Sequence, residues 1–158
     1  MSQLNEYGIC PDDLFEERVS FRRVDMRDLP DDLVDFDFTW SSCAFEHLGS
    51  IDNGLRFIVD QLRTLRPGGV AVHTTELNVS SNTDTLETDE IVLFRRCDIE
   101  RLAAELVASG HSIECTFHTG DYPNDRWIDS APFTNTHLKM ALGPYVTTSF
   151  GVLVRKAG

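Results

Sequence analysis

The chain has 158 residues, 41% of them hydrophobic, which indicates one folded domain rather than a disordered tail. Its formal net charge of −12 repels phosphate backbones, so we expect no binding to nucleic acid. The sequence shows no signal-peptide pattern, no apolar run that could span a bilayer and no Cys-x-x-Cys pair among its four cysteines. These features predict a cytoplasmic protein with reduced thiols and no membrane partner.

The first predicted elements are a short helix and two strands. Residues 11–18 begin with proline and carry acidic side chains near their start, which predicts a helix. Residues 19–24 alternate apolar and polar side chains, which predicts a strand. Residues 36–41 predict a second strand, with three aromatic side chains on one face. These are Phe36, Phe38 and Trp40.

A helix and a buried strand come next. Apolar residues recur at three- and four-residue spacing after Ser50, a predicted N-cap, as far as Leu65. Pro67 and the glycine after it are predicted to stop this helix. Residues 70–74 predict a short buried strand, and the polar stretch 76–90 predicts a loop.

The C-terminal part predicts another helix and two more strands. Asp98 is the predicted cap of a helix that ends at Gly110. Alternation predicts strands at 113–117 and 146–154, which form an antiparallel pair because no helix separates them. The long segment 118–143 between them predicts a lid over a site. It carries Tyr122, Trp127 and His137.

Two motifs indicate a known family. One is a strand that leads into Glu46-His47, and the other is Leu-Arg-Pro-Gly-Gly at 65–69, between a helix and a strand. This arrangement resembles the second half of a class I S-adenosylmethionine (SAM)-dependent methyltransferase, over residues 11–117 and 146–155. The resemblance implies one truncated methyltransferase-like domain over residues 1–158, with an α/β, Rossmann-like sheet that ends in an antiparallel strand pair. The sheet would lack the family's first two strands, because no Gly-x-Gly pattern occurs.

The resemblance also implies cofactor-binding residues. Asp25 matches the acidic position that binds the adenine amino group of SAM, and Met26 matches the residue that packs on the ring. A carboxylate suits this role because it accepts hydrogen bonds from an exocyclic amino group. Ser41 and Ser42 match the strand end that lines the methionine part of SAM. Ordinary turn chemistry is the alternative for all of these positions except Met26.

The predicted catalytic residues are Glu46, His47 and Glu76. Histidine titrates near neutrality, so His47 suits a base that takes a proton from the methyl acceptor. Glu46 would orient His47 or bind a polar substrate; the alternatives are a histidine that only packs and a solvated surface carboxylate. His73 and Glu76 are expected to point to the same side, but without a third ligand nearby they predict no metal site.

The sequence therefore predicts the C-terminal part of a SAM-dependent methyltransferase. Its acceptor would be a small polar or sugar-like molecule, and the chain alone would be weak or inactive and bind SAM weakly. One alternative is a non-catalytic remnant that serves as an interaction or dimerisation domain. A hydrolase that uses His47 or His73 is a third possibility, but no Gly-x-Ser-x-Gly elbow is present.

The missing strands also bear on assembly. An apolar strand left at a sheet edge invites pairing with another chain, which predicts a homodimer through residues 36–41 or 19–24. The alternative is that residues 19–24 pair with residues 36–41 within one chain.

Overall fold

The computed structural model describes residues 2–133 and 138–158, so the predicted lid residue His137 lies outside the described part. The α-helices are α1 (Asp12–Arg18), α2 (Ile51–Asp60) and α3 (Arg96–Ala108). The strands are β1 (Phe36–Ser42), β2 (Leu65–Asn78), β3 (Ser112–Cys115), β4 (Ile128–Asp129), β5 (Lys139–Leu142) and β6 (Tyr145–Arg155). None of the helices described has the length and apolar character that crossing a membrane requires.

All six strands belong to one mixed sheet in which β6 is central. β1 pairs with β2 in parallel, and β2 pairs with β6 antiparallel, from Val70 opposite Arg155 to Asn78 opposite Thr147. The other edge of β6 pairs antiparallel with both β3 and β5, and β4 lies parallel to β5. The predicted α/β sheet with an antiparallel strand pair near its C-terminus is confirmed.

The core lies on the side of the sheet that α2 and α3 cover. Alternate residues of β2 face this side and are buried, from Ala71 to Leu77. Their neighbours include buried apolar side chains of the two helices and of β6. These are Leu55, Ile58, Leu102, Leu106, Phe150 and Val152. The aromatic side chains of β1 instead stay in contact with solvent, and Trp40 is 70% exposed.

The predicted strand at residues 19–24 is wrong. The structure shows no strand there, and Phe21 is 74% exposed. The alternation of apolar and polar residues at 19–24 does not make a strand, because a strand also needs a hydrogen-bonded neighbour. β1, the neighbour expected for this segment, pairs with β2 instead. The expected pairing of 19–24 with 36–41 within one chain is therefore also wrong.

Several element boundaries also differ from the prediction. Ser50 caps α2 by accepting a hydrogen bond from the Asn53 N–H at 3.1 Å, as predicted, but α2 gives way to a 3₁₀ helix at Gln61–Thr64. The expected short strand at 70–74 extends over Leu65–Asn78, because β6 is long enough to pair with all of it from residue 70.

The third helix begins earlier than predicted. α3 starts at Arg96, so Asp98 lies in its first turn rather than at the cap, and its carboxylate accepts from the Arg95 N–H at 2.9 Å. The expected lid segment 118–143 is partly regular, since it contains a 3₁₀ helix at Pro123–Arg126 as well as β4 and β5.

Candidate functional site

A cavity of about 470 Å³ lies beyond the carboxyl end of β1. Residues 23–27 form one part of its wall, and His47 and Leu48, in the turn after β1, form another. The structure thus brings the predicted adenine-binding residues Asp25 and Met26 close to the predicted base, although residues 19–24 are not a strand. We call this the Asp25–His47 cavity.

Asp25 is held as an ionised carboxylate by Arg27. Its Oδ1 accepts from the Arg27 backbone N–H at 2.9 Å and from Nε at 3.1 Å, and its Oδ2 accepts from the guanidinium Nη2 at 2.9 Å. These hydrogen bonds lower the pKa of Asp25 to about 2. A carboxylate has about four acceptor positions, so about one remains for a ligand donor.

His47 presents one free ring nitrogen. Its Nδ1 lies 2.7 Å from the carbonyl oxygen of Glu90, and a carbonyl only accepts, so Nδ1 must carry the proton. In the neutral ring Nε2 then has an unprotonated lone pair. The ring is exposed to solvent, so His47 is not a histidine that only packs.

Glu46 lies inside the protein, 1% exposed, so the alternative of a solvated surface carboxylate is wrong. Its Oε2 accepts from the Thr75 hydroxyl at 3.1 Å, and burial raises the pKa of its carboxyl group. His47 is oriented by the Glu90 carbonyl, not by the Glu46 carboxylate as one sequence hypothesis had it.

The third predicted catalytic residue, Glu76, is held on β2. Its carboxylate accepts from the Thr147 hydroxyl at 2.7 Å and from the Ser149 hydroxyl at 3.5 Å. Because successive residues of a strand face opposite sides, Glu76 lies on the other face of the sheet from Thr75, which contacts Glu46. The structure therefore does not bring Glu76 and Glu46 together on one face.

The two predicted serines differ in what they bond. The Ser41 Oγ lies 2.8 Å from Nδ1 of His73, on the buried side of the sheet. Ser42 is exposed, and its Oγ accepts a long hydrogen bond of 3.4 Å from the Thr74 hydroxyl. Ser42 is thus the more available of the two to a ligand.

His73 is a core residue rather than part of the rim, contrary to the expectation that it points to the same side as Glu76. It is 1% exposed, between the rings of Phe45 and Phe57 at centroid distances of 6.1 and 5.7 Å. Burial lowers its pKa to about 4, so the ring is neutral at pH 7. Its Nε2 has no hydrogen-bond partner within the described part of the chain.

A second cavity, of about 360 Å³, lies beyond the carboxyl ends of β2 and β3. Residues 77–82, Arg96, Phe117 and Thr119 line it, and we call it the Arg96 cavity. The sequence analysis did not single out Arg96, which lines this cavity. The polar composition of the loop after β2 could have indicated a binding surface. The sequence does not show that Arg96 lies beside this loop, because the two are separated along the chain.

The residues that line the Asp25–His47 cavity could hold the adenine part of SAM. The remaining acceptor position of Asp25 suits the amino group, and Met26 and Leu48 offer apolar surface to the ring. Asp25 is the one carboxylate among the residues that line this cavity, so no second acid there would bind the ribose hydroxyls.

Comparison with solved structures identifies the fold. The structure of the DhpI–SAM–HEP complex has a TM-score of 0.53 and 13% identity, covering 98% of this chain and 62% of its own. The (4+2)-cyclase SpnF is 26% identical with a TM-score of 0.44, covering 66% of this chain and 39% of its own. An S-adenosylmethionine-dependent methyltransferase from Clostridium acetobutylicum is 13% identical with a TM-score of 0.47, covering 93% and 70%. No protein-family model and no curated protein matches the chain.

The chain has the Rossmann-like fold of class I SAM-dependent methyltransferases, which confirms the fold predicted from the sequence. It spans 62% of the length of the DhpI chain and 39% of that of SpnF. At 13% identity the likeness to DhpI shows the fold alone, because one fold hosts many activities.

Proposed function

We propose that the chain is the C-terminal part of a SAM-dependent methyltransferase that acts on a small polar or sugar-like acceptor. The observation that carries the proposal is the Asp25–His47 cavity. It brings together a carboxylate that can accept a hydrogen bond from the adenine amino group and a histidine with a free ring nitrogen. The fold supports it, because ligands of open α/β sheets bind beyond the carboxyl ends of the strands.

In this proposal His47 is the base. Bound SAM supplies the electrophilic methyl group, and the acceptor must be held in line with it, since positioning is the main requirement of such a transfer. The acceptor hydroxyl would give its proton to Nε2 of His47 as its oxygen gains the methyl group, and the electron pair of the carbon–sulfur bond that breaks would remain on the sulfur of the demethylated cofactor. The Glu90 carbonyl keeps the ring in the required tautomer throughout. Glu76 and the serines at the end of β1 are proposed to contact substrate or the methionine part of SAM.

We further propose that this chain holds SAM weakly. Its cavity provides for adenine but has no carboxylate for the ribose besides Asp25. Several hydrogen bonds of about 1 kcal/mol each are then missing, which lowers affinity by orders of magnitude. Activity would accordingly be low or absent for this chain alone.

Calorimetric titration with SAM and with adenosine tests the proposal. If the adenine contacts provide most of the affinity, adenosine binds about as tightly as SAM. Asp25→Ala then weakens both by about tenfold or more, because a hydrogen bond to a charged group is lost. Asp28→Ala is the matched control, since Asp28 is exposed and does not line the cavity. Equal affinities in wild type and Asp25→Ala would contradict the proposal, as would low-micromolar binding of SAM without binding of adenosine.

A second candidate function is protein association by a non-catalytic domain. The observation that favours it is β1, which pairs with β2 along one side and exposes Phe36, Phe38 and Trp40. We propose that this strand forms a homodimer interface. An association domain of this kind would dimerise without binding SAM or adenosine, which separates the two candidates.

A further inference from the structure

The Arg96 cavity combines segments from three parts of the chain. The loop that follows β2 provides one wall, the first residue of α3 provides Arg96, and Phe117 and Thr119 follow β3. β2 and β3 run in the same direction, because each is antiparallel to β6. The cavity therefore lies at the carboxyl edge of the sheet, the edge from which the Asp25–His47 cavity also opens.

Arg96 is held in place by two contacts. Its Nε donates to Oε1 of Glu100 at 2.7 Å, and its guanidinium lies 4.8 Å from the centre of the Phe117 ring. Phe117 is in turn stacked on the largely buried ring of Phe150, with centroids 5.1 Å apart. The Arg96 side chain is 60% exposed, so a ligand can reach its guanidinium, and the two contacts restrict part of its side-chain freedom beforehand.

The cavity presents more hydrogen-bond donors than its own residues use. The two terminal nitrogens of Arg96 make no hydrogen bond to any described residue. The side-chain oxygen of Asn82 accepts from the Cys97 N–H at 2.7 Å, which fixes the amide and leaves its NH₂ group available. The Thr119 hydroxyl is likewise unused within the described residues.

The charge of the cavity differs from that of the whole chain. Acidic residues outnumber lysine and arginine by 26 to 14, yet the residues that line this cavity include one arginine and no acid. Glu100 pairs with Nε of Arg96 and is not among the lining residues. Because Glu100 offsets part of the Arg96 charge, an anion in this cavity would be held mainly by the unused donors of Arg96, Asn82 and Thr119.

We propose that the Arg96 cavity binds the anionic group, a carboxylate or a phosphate, of the small-molecule methyl acceptor. This inference rests on the proposed function. It narrows the class of methyl acceptor from small polar molecules in general to those that carry an acidic group. The planar guanidinium suits either group, because it donates two parallel hydrogen bonds to two oxygens of one anion. Asn82 and Thr119 would complete the contacts.

Nuclear magnetic resonance titration with simple anions tests the proposal. Inorganic phosphate and acetate are added separately at constant ionic strength, and the backbone amides of Asn82, Arg96 and Cys97 are observed. We expect saturable shifts at these amides, and the ratio of the two affinities distinguishes a phosphate site from a carboxylate site. Arg96→Gln should weaken binding about tenfold or more, because charge-assisted hydrogen bonds are lost. Arg96→Lys should weaken it less, since it keeps the charge but not the fork.

The matched control is Arg22→Gln, which removes an exposed arginine that pairs with Asp32 and does not line the cavity. It should leave the anion affinity unchanged. Equal effects of Arg22→Gln and Arg96→Gln would overturn the proposal, because they would indicate a general charge effect, and so would shifts that do not saturate. Adenosine is titrated separately. Anion binding without adenosine binding would contradict the proposed methyl transfer but not the anion site. Adenosine binding without anion binding would contradict the anion site alone.

Discussion

The ring of His47 and the backbone of Glu90 form a hydrogen bond of 2.7 Å between residues 43 positions apart in the sequence. The contact decides which nitrogen of a solvent-exposed imidazole carries the proton, and so which nitrogen can accept one. The 90–94 segment that provides the carbonyl is itself fixed, because the Val92 N–H donates to the Glu46 carbonyl and the Phe94 N–H to the Glu76 carbonyl.

We predict that neutral His47 exists mainly as the Nδ1-protonated tautomer. Nitrogen NMR of labelled protein above pH 8 should show a protonated Nδ1 and an unprotonated Nε2, because the Glu90 carbonyl can only accept. His47→Gln assigns the signal by its disappearance. His118 is the internal comparison, since it is exposed and its Nε2, not its Nδ1, faces a partner, Asp121. A predominantly Nε2-protonated His47 would show that the Glu90 contact does not control the ring.

Burial makes His73 a source of acid sensitivity. In the folded chain its pKa is about 4, against 6.5 for an ordinary histidine. Between these pH values the unfolded chain binds a proton that the folded chain does not, so stability falls as the pH decreases through this window. The full loss is about 3 kcal/mol, since each unit of difference in pKa corresponds to about 1.36 kcal/mol.

Urea denaturation at a series of pH values between 7 and 4 checks this prediction. The free energy of unfolding of the wild type should fall more steeply with decreasing pH than that of His73→Leu, which has no group to titrate at this position. His118→Gln is the control, because its ring is exposed, and it should keep the wild-type slope. Parallel curves for wild type and His73→Leu would mean that the folded chain accepts a proton at His73.

The sequence predicted best what depends on local pattern. The amphipathic spacing after Ser50 and the serine cap locate α2, and the alternation at 36–41 locates β1 almost to the residue. The strand predicted at 19–24 failed because a strand needs a neighbour, and one sequence does not reveal which strands are adjacent. The site shows the same division. Motif resemblance brought Asp25 and His47 to one cavity, whereas burial of Glu46 and His73 depends on packing between distant segments.

Gly54 lies in the interior of α2, where alanine would ordinarily stabilise a helix by about 1 kcal/mol. Here a Cβ atom would lie 2.5 Å from Cζ of Phe94 and 2.9 Å from the carbonyl oxygen of Phe45. We therefore predict that Gly54→Ala destabilises the protein by about 1–3 kcal/mol through overpacking, measured by urea denaturation. Gly151→Ala on β6 is the control, because no atom lies within 4 Å of its Cβ, and it should not destabilise. A stabilising Gly54→Ala would show that α2 and the Phe94 ring separate easily.

β1 lacks most of the features by which monomeric proteins protect an edge strand, apart from a register irregularity between Phe36 and Phe38. It has seven residues with neither lysine nor proline, and its one charged residue, Asp37, is paired with Arg66 at 2.6 Å. By contrast β4, the last strand of the sheet order on the far side, has two residues. The sheet thus leaves its longer and more apolar edge available for pairing.

We predict that two copies of the chain associate through antiparallel pairing of β1 around Thr39. This register places Phe38 opposite Trp40 of the second copy and keeps the two Asp37 side chains apart, so aromatic pairs form without like charges facing each other. Light scattering at micromolar concentration should give twice the chain mass of 17.8 kDa.

Trp40→Lys should raise the dissociation constant of the dimer about 30-fold, the equivalent of about 2 kcal/mol for an aromatic residue at the centre of an interface. A wild-type chain that stays at 17.8 kDa at these concentrations would exclude the dimer and leave the edge of β1 to a different chain segment.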